Sequence, residues 1–122
     1  LNRTVTPDGQ LRIGTETKLL IDAKYKGRPE QEQLIPPSPS REDLYEAAVF
    51  MGATNCSRIL LVYPRVESTQ ATPAAIRVYR ATLLGKEAIF CTSTVDLAAL
   101  AQGHVEQLVT GLLCAIVQTL KA

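Results

Sequence analysis

Cysteine is scarce in this chain, and histidine scarcer. Cys56, Cys91 and Cys114 are far apart, odd in number and form no CxxC pair. Neither a disulfide framework nor a zinc site is expected, and a reducing cytoplasm is the natural home. His104 is the only histidine and follows Gly103 at the start of an apolar-periodic segment, a place for a surface or capping role rather than catalysis. With no histidine–acid pairing and no Ser or Cys motif, nucleophilic triad chemistry has no support. Glycine-rich phosphate loops are missing too, so any nucleotide hydrolysis must belong to another chain. No apolar run reaches membrane-spanning length, and no signal-peptide pattern opens the sequence.

Net charge is also nearly absent. Thirteen Lys and Arg against twelve Asp and Glu leave +1, which argues against a strongly basic nucleic-acid coat. Any such contact must come from a local patch: Lys24, Lys26 and Arg28 lie together, with Arg58, Arg65, Arg77 and Arg80 elsewhere. Scattered surface solvation is the default for most of them. What remains is an ordinary globular composition, 46% hydrophobic and 20% charged over 122 residues, enough for a single domain, 1–122, with its own core.

Local patterns divide the chain into elements. Leu11 to Ile13 reads as a short strand, residues 14–17 as a turn, and Lys18 to Lys26 as a longer returning strand. Residues 27–40 carry Gly27, Pro29, Pro36, Pro37 and Pro39 among polar side chains, a density that excludes regular structure; the loop either borders a substrate groove or is a plain connector. Ser40 is a good helix N-cap, with Asp43 three residues on as a short-armed capping box. Leu44, Ala47, Ala48 and Met51 follow as a buried stripe, with Gly52 near the helix end, while Asp43, Glu46 and Phe50 share an adjoining stripe. Arg58 to Tyr63 is an apolar strand stopped by Pro64. Ile76 to Leu83 and Lys86 to Ser93 form a β-hairpin around Leu84-Gly85. From Val105 to Leu120 the apolar spacing is that of a helix whose wide stripe is expected to pack on the sheet; a partner-binding face is the alternative.

The chemistry-bearing residues gather at one strand end. Leu19-Leu20-Ile21 runs into Asp22-Ala23-Lys24, and alternation along a strand puts Asp22 and Lys24 on one side with Ala23 opposite. Asp8, in Pro7-Asp8-Gly9, lies one hairpin upstream. Two acids and a lysine converging there suit metal-assisted hydrolysis of a phosphodiester. Asp22 and Lys24 are otherwise a same-face ion pair at the solvent end of a strand, and Asp8 a residue of a Pro-Asp-Gly turn. The acid directly after Leu-Leu-Ile demands a partner, because burying part of a carboxylate alone is costly.

The pattern resembles the PD-(D/E)xK nuclease superfamily, and more closely the nuclease domain of McrC subunits from modification-dependent restriction systems. Pro7-Asp8 resembles the first motif, Asp22-Ala23-Lys24 the second, and Tyr25-Lys26 the aromatic-basic pair that closes the strand. Asp43-Leu44-Tyr45-Glu46 resembles the Asp-Leu-Tyr-Gln that opens the next helix, and Ile59 to Pro64 extends the likeness more weakly. Glu46 and Phe50 depart from the Gln and Tyr often found at these helix positions. The superfamily's helix before the first strand would lie upstream of Leu1, so the chain is expected to be part of a longer protein.

The resemblance implies an α/β, restriction-endonuclease-like core, a central mixed sheet flanked by helices. It implies Asp8, Asp22 and Lys24 as catalytic residues, and Mg²⁺, with Mn²⁺ as substitute, held by Asp8, Asp22 and the backbone carbonyl of Ala23. Glu46 would be an accessory acid, and Lys26 and Arg28 would contact DNA. The implied activity is Mg²⁺-dependent endonuclease cleavage of DNA, in a subunit recruited by a nucleotide-hydrolysing motor of the McrB type. Two other readings stay open: a non-catalytic interaction module of nuclease-like fold, and a repair or structure-selective nuclease.

Overall fold

The computed structural model describes residues 6–24, 38–65 and 76–122. Two hairpins flank a central strand. Strand β1 (Gly9–Ile13) turns back antiparallel into β2 (Glu16–Ala23), and β4 (Arg77–Leu83) does the same into β5 (Lys86–Asp96). Between them lies β3 (Arg58–Arg65), parallel to both β2 and β5, giving the order β1-β2-β3-β5-β4. Helix α1 (Arg41–Thr54) connects β2 to β3, and α2 (Leu97–Ala101) and α3 (Val105–Lys121) follow β5. The fold is thus α/β with a five-stranded mixed sheet, as the sequence implies.

The parallel strands carry the core because both their faces are covered. On one face Leu20, Ile59, Leu61, Tyr63 and Phe90 pack against Ala47, Phe50 and Met51 of α1. On the other, Leu19, Leu60, Val62, Ile89 and Cys91 meet Ala115 of α3. The alternation Leu19/Leu20 and Leu60/Leu61 is the two-residue period of a strand divided between two helices.

Several expected boundaries move. Strand β3 runs through Pro64 to Arg65 rather than stopping at Tyr63. Val62 bonds Lys24 of β2 through its carbonyl, so Pro64, two residues on, turns its ring nitrogen to the same side, past the last paired residue, Ala23. No ladder hydrogen bond is lost there. Helix α1 passes Gly52 and ends at Asn55, whose φ of 54° is left-handed and whose N–H donates to the Met51 carbonyl. Its buried residues are Asp43, Ala47, Phe50 and Met51; Leu44 and Ala48 are only half-buried. Ser40 caps the helix as expected, accepting from the Asp43 N–H at 3.1 Å. The Pro-rich loop lies outside the described residues up to residue 37, and the described part, 38–40, has no regular structure.

Helix α3 departs furthest from expectation. Only Ala115 and Thr119 are fully buried, with Leu112 and Ile116 packed beside them, while Val109, Leu113 and Val117 stay exposed. Its C-terminus is fixed from the sheet: Arg58 Nη1 donates to the carbonyls of Thr119 and Ala122 at 2.7 and 2.5 Å, a cation on the negative end of the helix. His104 precedes the helix, exposed and without a side-chain cap bond.

The β4–β5 hairpin closes on Leu84 and Gly85, both at positive φ, 50° and 78°, as a two-residue type I′ turn requires. Leu84 is fully exposed, so its side chain gains nothing for the strained backbone. Leu84→Asn is expected to stabilise the fold by about 1 kcal/mol, roughly 4 °C in melting temperature, checked by thermal unfolding.

Candidate functional site

Asp22 and Lys24 leave β2 on the α1 face, as the alternation from Leu20 dictates. Asp22 is 5% exposed, and Lys24 Nζ lies 2.8 Å from its Oδ2. The ammonium also bonds the Glu46 carboxylate of α1 and stands 4.0 Å from Asp43 Oδ1. One cation therefore faces three acids, two of them one helical turn apart on α1. Asp43 is held in turn: Tyr63 on β3 donates its hydroxyl to Oδ2 at 2.7 Å in a buried hydrogen bond.

Asp8 joins from the other side. Its backbone N–H donates to Asp22 Oδ1 at 3.3 Å, and its own Oδ2 accepts the Ala23 N–H at 2.8 Å. Pro7 is buried and Asp8 exposed, so the turn pins its backbone and leaves the carboxylate at the rim. The Ala23 N–H points to this β1 side, and its carbonyl, on the same edge of the strand, does so too. The proposed triad Asp8, Asp22 and Lys24 is thus brought together at the carboxyl end of a parallel strand, where open α/β sheets commonly bind ligands.

The electrostatics follow from burial and charge count. Burial pushes the Asp22 carboxyl above its ordinary value; bonds to Lys24 and to the Asp8 N–H only partly offset this, and the Asp8 charge adds to it. For Lys24, burial acts to lower the pKa, but hydrogen bonds to Asp22 and Glu46 outweigh it and the ammonium is held above its usual range. Lys24 answers two carboxylates, whereas Asp22 has one cation and an opposing acid.

The remaining candidate residues divide between this cluster and the rest of the fold. Phe50 does not face it; the ring is buried in the core with Leu61 and Phe90. Glu46 is present, but its carboxylate engages Lys24. Arg58 caps α3, Arg80 pairs with Glu87 at 3.0 Å on the far edge of the sheet, and Arg77 reaches Ser38 at 3.3 Å, so these arginines form no common patch. Lys26 and Arg28 lie outside the described residues. Tyr63 is the member that sequence reasoning missed: it reads as the last apolar residue of a strand, and only the pairing of β2 with β3 brings it under Asp43.

Titration should expose the pair. Because native Asp22 binds its proton more tightly than the unfolded chain, its contribution is present below the ordinary carboxyl value of 3.8 and lost as pH rises through its native pKa. Lys24 acts at the other end: its stabilisation is present below 10.5 and lost as pH rises through its raised native value. Lys24→Met strands the Asp22 carboxylate and is expected to cost about 3 kcal/mol at neutral pH. That loss should shrink on acidification as the acid takes up a proton, and Asp22→Asn in the same chain should recover most of it. Urea unfolding of the three variants across pH checks this. Tyr63→Phe, which leaves a buried Asp43 oxygen without its donor, should cost about 1–3 kcal/mol in the same measurement.

Neither a family model nor a curated protein matches this chain.

Proposed function

We propose that this domain is a Mg²⁺-dependent DNA endonuclease of restriction-endonuclease-like fold, similar in role to the McrC cleavage subunit. The supporting observation is the convergence of Asp8, Asp22 and Lys24 at one strand end, in the order the PD-(D/E)xK pattern requires. Asp8, Asp22 and the Ala23 carbonyl would hold Mg²⁺ or Mn²⁺. Hard oxygen donors fit such a cation, which commonly takes one or two carboxylates and keeps waters or substrate phosphate for its other positions. The Ala23 carbonyl adds a third oxygen to the two carboxylates of the proposed set. When bound, the cation supplies charge neutralisation at the scissile phosphate.

The chain's own residues divide the remaining work. Lys24, released from one of its two carboxylates, orients the attacking water or meets charge developing on the phosphate. Asp43, held by Tyr63, and Glu46 keep the ammonium near Asp22 in the absence of substrate. Lys26 and Arg28 would add phosphate contacts beyond the strand. With a net charge of +1, intrinsic DNA affinity is low, which favours delivery by a nucleotide-hydrolysing motor of the McrB type that reads modified DNA.

One observation favours a second reading, a non-catalytic interaction module. Lys24 is already satisfied by Asp22 and Glu46, so the cluster is self-sufficient as a structural ion-pair network. Mn²⁺ diffusion into crystals, read by anomalous scattering, separates the two. The nuclease reading expects a peak bonded to both Asp8 and Asp22 that disappears in Asp22→Ala. It also expects Mg²⁺-dependent DNA cleavage to fall at least about 100-fold in Asp22→Ala and in Lys24→Ala. An empty site together with unchanged activity of the intact complex in Asp22→Ala would establish the module instead.

A further inference from the structure

Helix α3 has the surface of an interface. It carries two charges in 17 residues, Glu106 in the first turn and Lys121 in the last. Between them Val105, Val109, Leu113 and Val117 recur every fourth residue and are 51, 45, 56 and 46% exposed, a continuous apolar ridge. Leu120 and, on the adjoining α2, Leu97 and Leu100 are exposed as well. More than half of the exposed large apolar side chains among the described residues lie on these two helices. Apolar patches of this continuity mark association surfaces. A shallow depression lined by Thr110, Leu113, Cys114 and Val117 runs along the ridge.

We propose that this face is covered by a second copy of the chain, with the two α3 helices packed antiparallel about a two-fold axis at Leu113. The spacing is self-complementary under that operation, as an isologous interface demands. Leu113 meets the partner's Leu113, Val109 meets the partner's Val117, and Glu106 comes beside the partner's Lys121. The acid and base at opposite ends of the ridge thereby form two attractive pairs. A parallel arrangement would instead set acid against acid and base against base. The occupant is therefore chosen by charge as well as by apolar area. This dimer uses the sheet face opposite Asp8, Asp22 and Lys24, so it stands independently of the nuclease reading.

Sedimentation equilibrium of the purified protein tests the proposal, and a dimer is the expected result. Leu113→Glu places two like charges at the axis and should yield a monomer, with an unchanged circular dichroism spectrum because the position is solvent-exposed. Glu106→Lys alone should weaken the dimer about tenfold, since two attractive pairs become repulsive. Adding Lys121→Glu should restore it. Cys114 is exposed while Cys56 and Cys91 are buried, so a short bismaleimide should join two chains through Cys114 only. A wild-type monomer at the highest soluble concentration overturns the proposal. So does a dimer indifferent to Leu113→Glu, or a Glu106→Lys defect that Lys121→Glu fails to repair.

Discussion

The arrangement depends on one ammonium group placed where a buried strand reaches its end. β2 descends through Leu19 and Leu20, both fully buried, and its next α1-facing residue is a carboxylic acid. At that depth a lone carboxylate would stay protonated or disrupt the packing. Lys24, two residues on, supplies the counter-charge, but its own burial demands a second acid. Glu46 and Asp43 on α1 provide it, so the ion-pair set fixes how α1 sits over β2. Ser40 and Tyr63 complete the arrangement by occupying the backbone and side chain of Asp43. Lys24 thus ties β2 to α1, and the Tyr63–Asp43 hydrogen bond ties β3 to the same helix.

That same economy explains why the cluster admits two functions. A buried ion pair is weak evidence of stabilisation, since desolvation cancels much of the attraction and apolar substitutes often do as well. Among the described residues, Asp22 and Asp43 are the two buried acids, and both lie at this one cluster. A carboxyl with raised proton affinity beside a firmly charged lysine occurs both in catalytic sites and in structural ion-pair networks. The Asp8 carboxylate, exposed and bound by one backbone N–H, is the part most free to take a new partner.

Much of this was readable from the residues, and the failures have a common cause. Local signals held: Leu84-Gly85 closes a hairpin, Ser40 caps α1, Asp22 and Lys24 share a face, and the period of α3 gives its length closely. What failed needed knowledge of neighbours. The Tyr63–Asp43 bond spans twenty residues and exists only because β3 pairs with β2 in one register. Pro64 continues its strand because it lies past the last β2–β3 pair, Ala23 with Val62, and Asn55 rather than Gly52 takes the left-handed end because α1 runs three residues further. Phe50 belongs to a stripe that looks as fit to face the site as the core until the helix rotation is known.

Helix α3 shows the limit of periodicity in the sharpest form. An apolar spacing reports that a face avoids water, not what removes the water from it. Leu112, Ala115 and Ile116 meet the sheet at Leu19, Leu60, Val62, Ile89 and Cys91, and Thr119 is buried beside them. The Val109–Leu113–Val117 ridge is outside that contact and exposed. A helix stripe broader than the surface beneath it belongs partly to another molecule or stays costly in water, at about 25 cal/mol for each Å² of apolar surface. Charged side chains gather around Lys24 on the α1 side, and on α3 they retreat to the two ends. The two sides of the sheet thus differ in character, with the charged cluster on one and an uncharged ridge on the other.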